Sequence, residues 1–161
     1  PTAVAASERL FVMAPQAPSM LNAQHIAKLI PHHGSMCLLD SVQHYDPQSI
    51  RCAAGSHRLP TNPLREHGVL HAVCGIEYAA QAMAVHGALL SGQGDQAPRG
   101  GRLASVRSVE FSASRLDDVE AELEVSATQL MGDENSMVYE FTVSAAQRTL
   151  LKGKATVVLV S

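Results

Sequence analysis

The most constraining feature of this chain is an apolar segment of eighteen residues, Val73 to Leu90, whose hydrophobic side chains cover every face of a helix. A helix without a polar face is either enclosed by protein or embedded in a membrane. Eighteen helical residues measure about 27 Å, close to the thickness of a bilayer core. However, Glu77 in its first half would be costly in lipid, and no basic loops flank the segment. We therefore predict a helix wrapped by a sheet.

Three polar residues interrupt this helix: Glu77, Gln81 and His86. Glu77 and Gln81 lie four residues apart, so they share one face. The neighbours of Glu77 are apolar: Val73, Ile76 and Ala80. A carboxyl group desolvated among such neighbours favours its protonated form and is suited to act as a general acid near neutral pH. Because a buried carboxyl needs a partner or a function, Glu77 is the first candidate site residue.

Length and composition favour a single globular domain. The chain has 161 residues, of which 46% are hydrophobic and 17% charged, which excludes general disorder. Its net charge of -3 does not suggest a nucleic-acid partner. The cysteines lie in apolar runs without metal-finger spacing, as is typical of a reducing, cytoplasmic compartment: Cys37, Cys52 and Cys74. We interpret residues 1–20 as a loose leader and residues 21–161 as one domain.

The remaining segments predict a mostly antiparallel sheet. Asn22 is a plausible N-cap for a short helix from Ala23 to Ile30, which Pro31 ends. Strands are predicted from the hydrophobic pattern at Cys37 to Tyr45, Ser49 to Ser56, Arg102 to Ser112, Val119 to Ala127, Met137 to Ala145 and Leu150 to Val160. Strict alternation in the later strands indicates one dry and one wet face. The pattern fits the α+β hotdog fold, an antiparallel sheet wrapped around one long helix.

The chemistry available to the chain is acid–base catalysis. Its eight histidines lack the spacing of a metal site on a regular element, and there is no GxSxG elbow for a nucleophilic serine. A histidine in the loop before the long helix can act as a base, with Glu77 as the acid. Backbone N–H groups at the helix N-terminus can stabilise an oxyanion. This combination suits proton abstraction next to a carbonyl with loss of a β-hydroxyl.

Three segments carry a resemblance to a known family. They are LIPHHGSMCLLD at 29–40, Ser56-His57 followed by Pro60 and Asn62-Pro63, and GIEYAAQAMA at 75–84. Together they resemble the hotdog-fold 3-hydroxyacyl-acyl carrier protein dehydratases of bacterial fatty-acid synthesis. The NPLR and GIEYxAQ runs are similar to the predicted dehydratases of aryl polyene gene clusters.

The resemblance implies conversion of a 3-hydroxyacyl thioester on acyl carrier protein to the trans-2-enoyl thioester. It implies that His57 removes the α proton, that Glu77 protonates the leaving hydroxyl and that Gln81 orients Glu77. Backbone N–H groups near Gly68 or Gly75 would polarise the thioester carbonyl. No metal or cofactor is implied, and neither is a membrane span.

In this family the base and the acid usually come from different subunits, so the resemblance implies a homodimer or a heterodimer with a related hotdog subunit. The acyl chain is expected to run along the helix between subunits. Arg58 and Arg65 near the site mouth are hypothetical contacts for the acidic carrier protein.

The chain departs from the family pattern where His67-Gly68 replaces a Pro-Gly, with a longer link to Glu77. The departure leaves the oxyanion donor open and makes His71 a rival to His57. Two alternative functions also stay open. One is a hotdog acyl thioesterase, and the other is a non-catalytic subunit of a heterodimeric dehydratase.

Overall fold

The computed structural model describes residues 21–91 and 100–160. One sheet of seven antiparallel strands, in the order β1-β2-β3-β5-β6-β7-β4, packs on a single long helix, α2. The helices and strands are α1 Ala23–Leu29, α2 Gly75–Ser91, β1 Leu21–Asn22, β2 Ser41–Tyr45, β3 Ser49–Ala54, β4 Gly101–Phe111, β5 Leu123–Gly132, β6 Ser136–Ala145 and β7 Arg148–Leu159. The α+β architecture is therefore confirmed. The leader expected at 1–20 lies outside the described residues.

Helix α2 is buried except along one stripe. Most of its side chains are in the core, including Tyr78, Ala79, Ala82 and Val85, none of which is exposed. By contrast, Glu77, Ala80, Ala84 and Gly87 are only partly buried. The segment Ala72–Ser91 is long and apolar enough to cross a membrane by length and composition, yet half of its apolar window is buried inside the protein. The prediction that protein encloses the helix is thus correct for its packed faces, whereas the stripe from Glu77 to Gly87 is only partly covered.

The alternating strands have the expected register. In β5, Leu123, Val125 and Ala127 face the core, while Glu124 between them is exposed. The same period-two pattern places Tyr139, Phe141, Val143 and Ala145 of β6 in the core. The cause is that successive side chains of a strand point to opposite faces of the sheet.

Two strands begin later than predicted, and in each case side chains bond to backbone groups of the missing residues. At 37–40, the Leu38 N–H donates to the Gln81 side chain, 2.9 Å away, so β2 begins only at Ser41. At 119–122, the carbonyls of Val119 and Ala121 accept from His57, and β5 begins at Leu123. Both irregular segments therefore contact the candidate site.

Strand β4 is an open edge of the sheet. It pairs only with β7, and nine of its eleven residues are exposed. Leu103 and Phe111 are large hydrophobic side chains with more than two fifths of their surface exposed. A long edge strand with apolar side chains is a surface that readily pairs with another chain.

We predict that Gly75 is required for close packing at the start of α2. A Cβ atom at Gly75 would lie 2.6 Å from Cδ2 of Leu151, a fully buried side chain. Gly75→Ala should therefore lower the free energy of unfolding by about 1–3 kcal/mol through overpacking. Chemical denaturation measures the change.

Gly87→Ala is the matched control in the same helix, because a Cβ atom there meets nothing within 4 Å. This variant should be more stable than wild type by up to about 1 kcal/mol, since alanine has the higher helix propensity. Equal effects of the two substitutions would contradict the packing argument.

Candidate active site

His57 is a buried imidazole whose tautomer is set by its partners. It lies in the 3-10 turn Ser56–Arg58 after β3, and its surface is 0% exposed. Nε2 is 2.9 Å from the Val119 carbonyl oxygen and 3.0 Å from that of Ala121. Because carbonyls only accept, Nε2 carries the hydrogen and the neutral ring has its lone pair on Nδ1.

The environment of His57 favours a base. Nδ1 is buried, and no described residue hydrogen-bonds to it. Desolvation lowers the pKa of His57, although its two carbonyl partners oppose this effect. The ring is therefore neutral near pH 7, with a free lone pair on a fixed nitrogen.

Arg65 holds the loop that carries His57. Its guanidinium donates to the His57 carbonyl oxygen at 3.2 Å and to the Gly68 carbonyl oxygen at 2.9 Å. Arg65 thus connects the 3-10 turn to the tip of a short hairpin. Its guanidinium, which the sequence suggested for carrier contact, is therefore already hydrogen-bonded within the protein. Arg58 is exposed and donates to the Glu120 carbonyl oxygen at 2.8 Å.

A directed chain of hydrogen bonds joins this loop to α2. Asn62 donates to the Tyr78 hydroxyl at 3.1 Å, and the Tyr78 and Ser56 hydroxyls are 2.7 Å apart. Ser56 in turn donates to the Leu38 carbonyl oxygen at 2.7 Å, so Tyr78 must be the donor to Ser56. Burial raises the pKa of Tyr78, which keeps this hydroxyl protonated. These hydrogen bonds connect Ser56, the residue before His57, to Tyr78, the residue after Glu77.

Gln81 uses both ends of its amide on the segment before β2. Its Oε1 accepts from the Leu38 N–H at 2.9 Å, and its Nε2 donates to the Met36 carbonyl oxygen at 2.6 Å. Gln81 is fully buried, and within the described chain its amide makes no hydrogen bond to Glu77. Gln81 was expected to orient Glu77. In the structure, both polar atoms of its amide are instead bonded to the backbone of Met36 and Leu38.

Glu77 instead contacts a histidine that the sequence reasoning did not assign to the site. Its Oε1 is 3.2 Å from Nε2 of His32, and the two side chains are 35% and 28% exposed. The Glu77 carboxyl is therefore only partly desolvated in the single chain, since its stripe of α2 faces a cavity. The signal in the sequence was the Pro31-His32-His33 segment, which is part of the family resemblance.

The His32–Glu77 pair lies at one end of an apolar groove. One cavity of about 410 Å³ is lined by both residues and by apolar neighbours: Leu29, Ala80, Leu103 and Val157. A second cavity of about 370 Å³ continues along α2 and shares Ala84, Ala88, Gly101 and Val157 with the first. From Glu77 to Ser91 the helix extends about 21 Å, which is room for a long acyl chain.

Gly68 and Gly75, the glycines predicted to lie near the oxyanion donors, have different backbone environments. His67 and Gly68 have φ values of 49° and 78° and form the two-residue tip of a hairpin between Glu66 and Val69. Gly68 is exposed at this tip. The Gly75 N–H is already bonded to the carbonyls of Ala72 and Val73. The Gly68 N–H therefore stays a predicted donor, whereas that of Gly75 is already bonded.

His71 is also separate from the acid. Its side chain is exposed and lines a different cavity, of about 670 Å³, together with Val73 and Phe111. Among the described residues, no group of three or more histidine, cysteine, aspartate or glutamate side chains could hold a metal ion.

Comparison with known proteins identifies the family. The family model of the ApeP-like proteins, described as ApeP dehydratase, matches residues 24–160. The chain belongs to the ApeP-like dehydratase family. The sequence resemblance to hotdog dehydratases of this type is thereby confirmed. A comparison with curated protein sequences finds no significant match.

Solved structures show that this family member has the hotdog fold. The dehydratase heterocomplex ApeI:P from Xenorhabdus doucetiae matches with a TM-score of 0.75 and 21% identity, covering 88% of this chain and 92% of that one. AziG of S. sahachiroi matches with a TM-score of 0.55 and 19% identity over 82% and 98%. A hypothetical thioesterase from Streptococcus pneumoniae matches with a TM-score of 0.55 and 11% identity over 74% and 84%.

Because two histidines are buried, we predict that the free energy of unfolding falls in acid. His86 is fully buried between the Tyr139 hydroxyl and the Asp46 carbonyl oxygen, each 2.8 Å away, and desolvation lowers its pKa, as it does for His57. Unfolded histidines protonate near pH 6.5. Below that pH the unfolded state binds more protons, so stability should fall by up to about 1.4 kcal/mol per pH unit per histidine.

Denaturant titrations between about pH 7.5 and pH 5.5 measure this slope. His57→Gln should have a shallower slope than wild type. His33→Gln, at an exposed neighbour of the site, should leave it unchanged. Identical slopes in all three proteins would contradict the assignment of His57 as a histidine buried in its neutral form.

Proposed function

We propose that the chain dehydrates a 3-hydroxyacyl thioester carried on acyl carrier protein to the trans-2-enoyl thioester. Family membership supports a dehydratase. The observation that carries the proposal is a neutral imidazole with a fixed lone pair on Nδ1, in a chain that also presents a carboxyl group at the end of an apolar groove.

His57 acts as the base in this reaction. Its Nδ1 lone pair removes the proton next to the thioester carbonyl, and the resulting imidazolium is stabilised by the two carbonyls that Nε2–H already contacts. Because burial lowers the pKa of His57, the base is deprotonated at neutral pH and stays so somewhat below pH 6.5.

Glu77 acts as the acid. Its carboxyl proton passes to the β-hydroxyl as the C–O bond breaks, and water leaves. The acyl chain lies in the groove beyond Glu77, against Ala80, Ala84 and Ala88. The small side chains of this stripe leave space for the chain, and burial of its methylenes contributes about 0.8 kcal/mol each to binding.

Two subunits complete the site. Within the described part of one chain no hydrogen bond or ion pair joins His57 to Glu77, so the proposal brings them together across a dimer. The exposed apolar edge strand β4, whose Leu103 also lines the groove, is available for such pairing. The partner is a second copy or a related hotdog subunit, and the similarity to the Xenorhabdus dehydratase heterocomplex supports the second.

The proposed setting is the cytoplasm, in fatty-acid-like or aryl polyene biosynthesis. The three cysteines are free, as is usual in a reducing compartment. Arg58 is the remaining exposed arginine of the His57 turn and is the proposed contact for the acidic carrier protein.

A second candidate is a non-catalytic subunit that supports an active relative. The similarity to a dehydratase heterocomplex favours it specifically. Turnover that requires a related subunit, and that survives loss of His57 and Glu77 from this chain, distinguishes it from the first candidate.

The first test of catalysis follows a carrier-bound 3-hydroxyacyl thioester by mass spectrometry. Wild type should lose water, while His57→Gln and Glu77→Gln should each lower the rate by about 100-fold or more. Exposed His33→Gln should retain the wild-type rate. Release of free acid and carrier thiol instead of water would identify a thioesterase and overturn the proposal.

Mixing the two inactive variants tests the shared site. If His57 of one subunit serves Glu77 of the other in a homodimer, an equal mixture after subunit exchange should recover about a quarter of wild-type activity, because half of the dimers regain one intact site. No recovery despite demonstrated exchange would contradict a site shared between two copies.

A further inference from the structure

In the His32–Glu77 pair, a ring nitrogen and a carboxyl oxygen lie 3.2 Å apart. The pair lies at the groove rather than on an outer surface. Nothing in the family assignment gives His32 a role.

His32 is held in place from several directions. Pro31 follows α1 and excludes a further helical turn, while the His32 carbonyl oxygen accepts from Sγ of Cys37 at 3.0 Å. Gly34, with φ of 58°, starts the 3-10 turn Gly34–Met36, whose last carbonyl is bonded to Gln81. The backbone that carries His32 is thus bonded to the same helix that carries Glu77.

The tautomer of His32 follows from its surroundings. Nδ1 is buried and has no hydrogen-bond partner in the described residues, whereas Nε2 faces Oε1 of Glu77. A buried N–H without an acceptor costs about 1–3 kcal/mol, and such groups are rarer in proteins than under-satisfied acceptors. The hydrogen of the neutral ring therefore resides on Nε2, which lies 3.2 Å from Oε1.

This contact decides which carboxyl oxygen can carry the acidic proton. Nε2 of His32 lies 3.2 Å from Oε1, so a proton on Oε1 would face the Nε2–H group, and the carboxyl proton therefore lies on Oε2. No described residue hydrogen-bonds Oε2, which leaves it available to a substrate in the groove.

We propose that His32 is a positioning residue for Glu77, which fixes the carboxyl group through Oε1 and directs the proton on Oε2 toward the β-hydroxyl of the substrate. The inference rests on the proposed dehydratase function. It adds His32, from the Pro31-His32-His33 segment, to a site for which the family resemblance implied side-chain roles only for His57, Glu77 and Gln81. The role is indirect, because His32 acts only through Glu77.

Kinetics of three variants test this role in whichever assembly dehydrates the carrier-bound substrate. His32→Phe retains ring volume without a donor and should lower kcat by about 10- to 100-fold with KM nearly unchanged. His32→Gln places an amide N–H at a similar reach and should restore most of kcat. His33→Phe, at the exposed neighbouring histidine, is the matched control and should have wild-type kcat.

Nitrogen NMR of the histidine rings separates this inference from the proposed function. In wild type, His32 should have a protonated Nε2 and a bare Nδ1. Glu77→Gln should shift the His32 Nε2 signal and leave that of His86, which is fully buried and bonded to Tyr139, unchanged. No shift at His32, or equal kcat in His32→Phe and His33→Phe, would overturn the positioning role without affecting the proposed reaction. A wild type that does not dehydrate any carrier-bound substrate, alone or with a related subunit, overturns both.

Discussion

The arrangement of the site depends on the backbone of Leu38. Its N–H and C=O groups are each hydrogen-bonded to a side chain. Its N–H donates to Gln81 of α2, and its carbonyl accepts from Ser56 beside His57. Removing either side chain would leave a buried peptide group without a partner, at a cost of about 1–3 kcal/mol. Through this one residue the helix, the histidine loop and the segment carrying His32 are held in one geometry.

The two titratable groups of the proposed reaction have opposite environments. His57 is enclosed and bonded to carbonyls, which keeps the ring neutral and its lone pair on Nδ1. Glu77 lies on the open stripe of α2, where its contact is His32 rather than the apolar core. Desolvation favours the neutral, basic form of His57, whereas the Glu77 carboxyl is reachable from the groove.

Much of the fold could be predicted because its periodicities are strong. Together, the strict alternation in β5 and β6 and the continuous apolar run of α2 favour one arrangement, an antiparallel sheet around a helix. The strand ends could not be predicted at 37–40 and 119–122, since the side chains that replace the ladder bonds there come from residues 18 to 64 positions away.

The sequence by itself determined the family, the enclosure of α2 on its packed faces and the identity of the acid and base candidates, because these follow from local spacing and motif. Only the tertiary structure decided the partners of those candidates. Gln81 bonds a distant peptide, Gly75 packs on Leu151, and His32 meets Glu77 from 45 residues away in the chain. The reason is physical: hydrogen bonds depend on distances of about 3 Å between atoms, and such distances are set by packing rather than by position in the sequence.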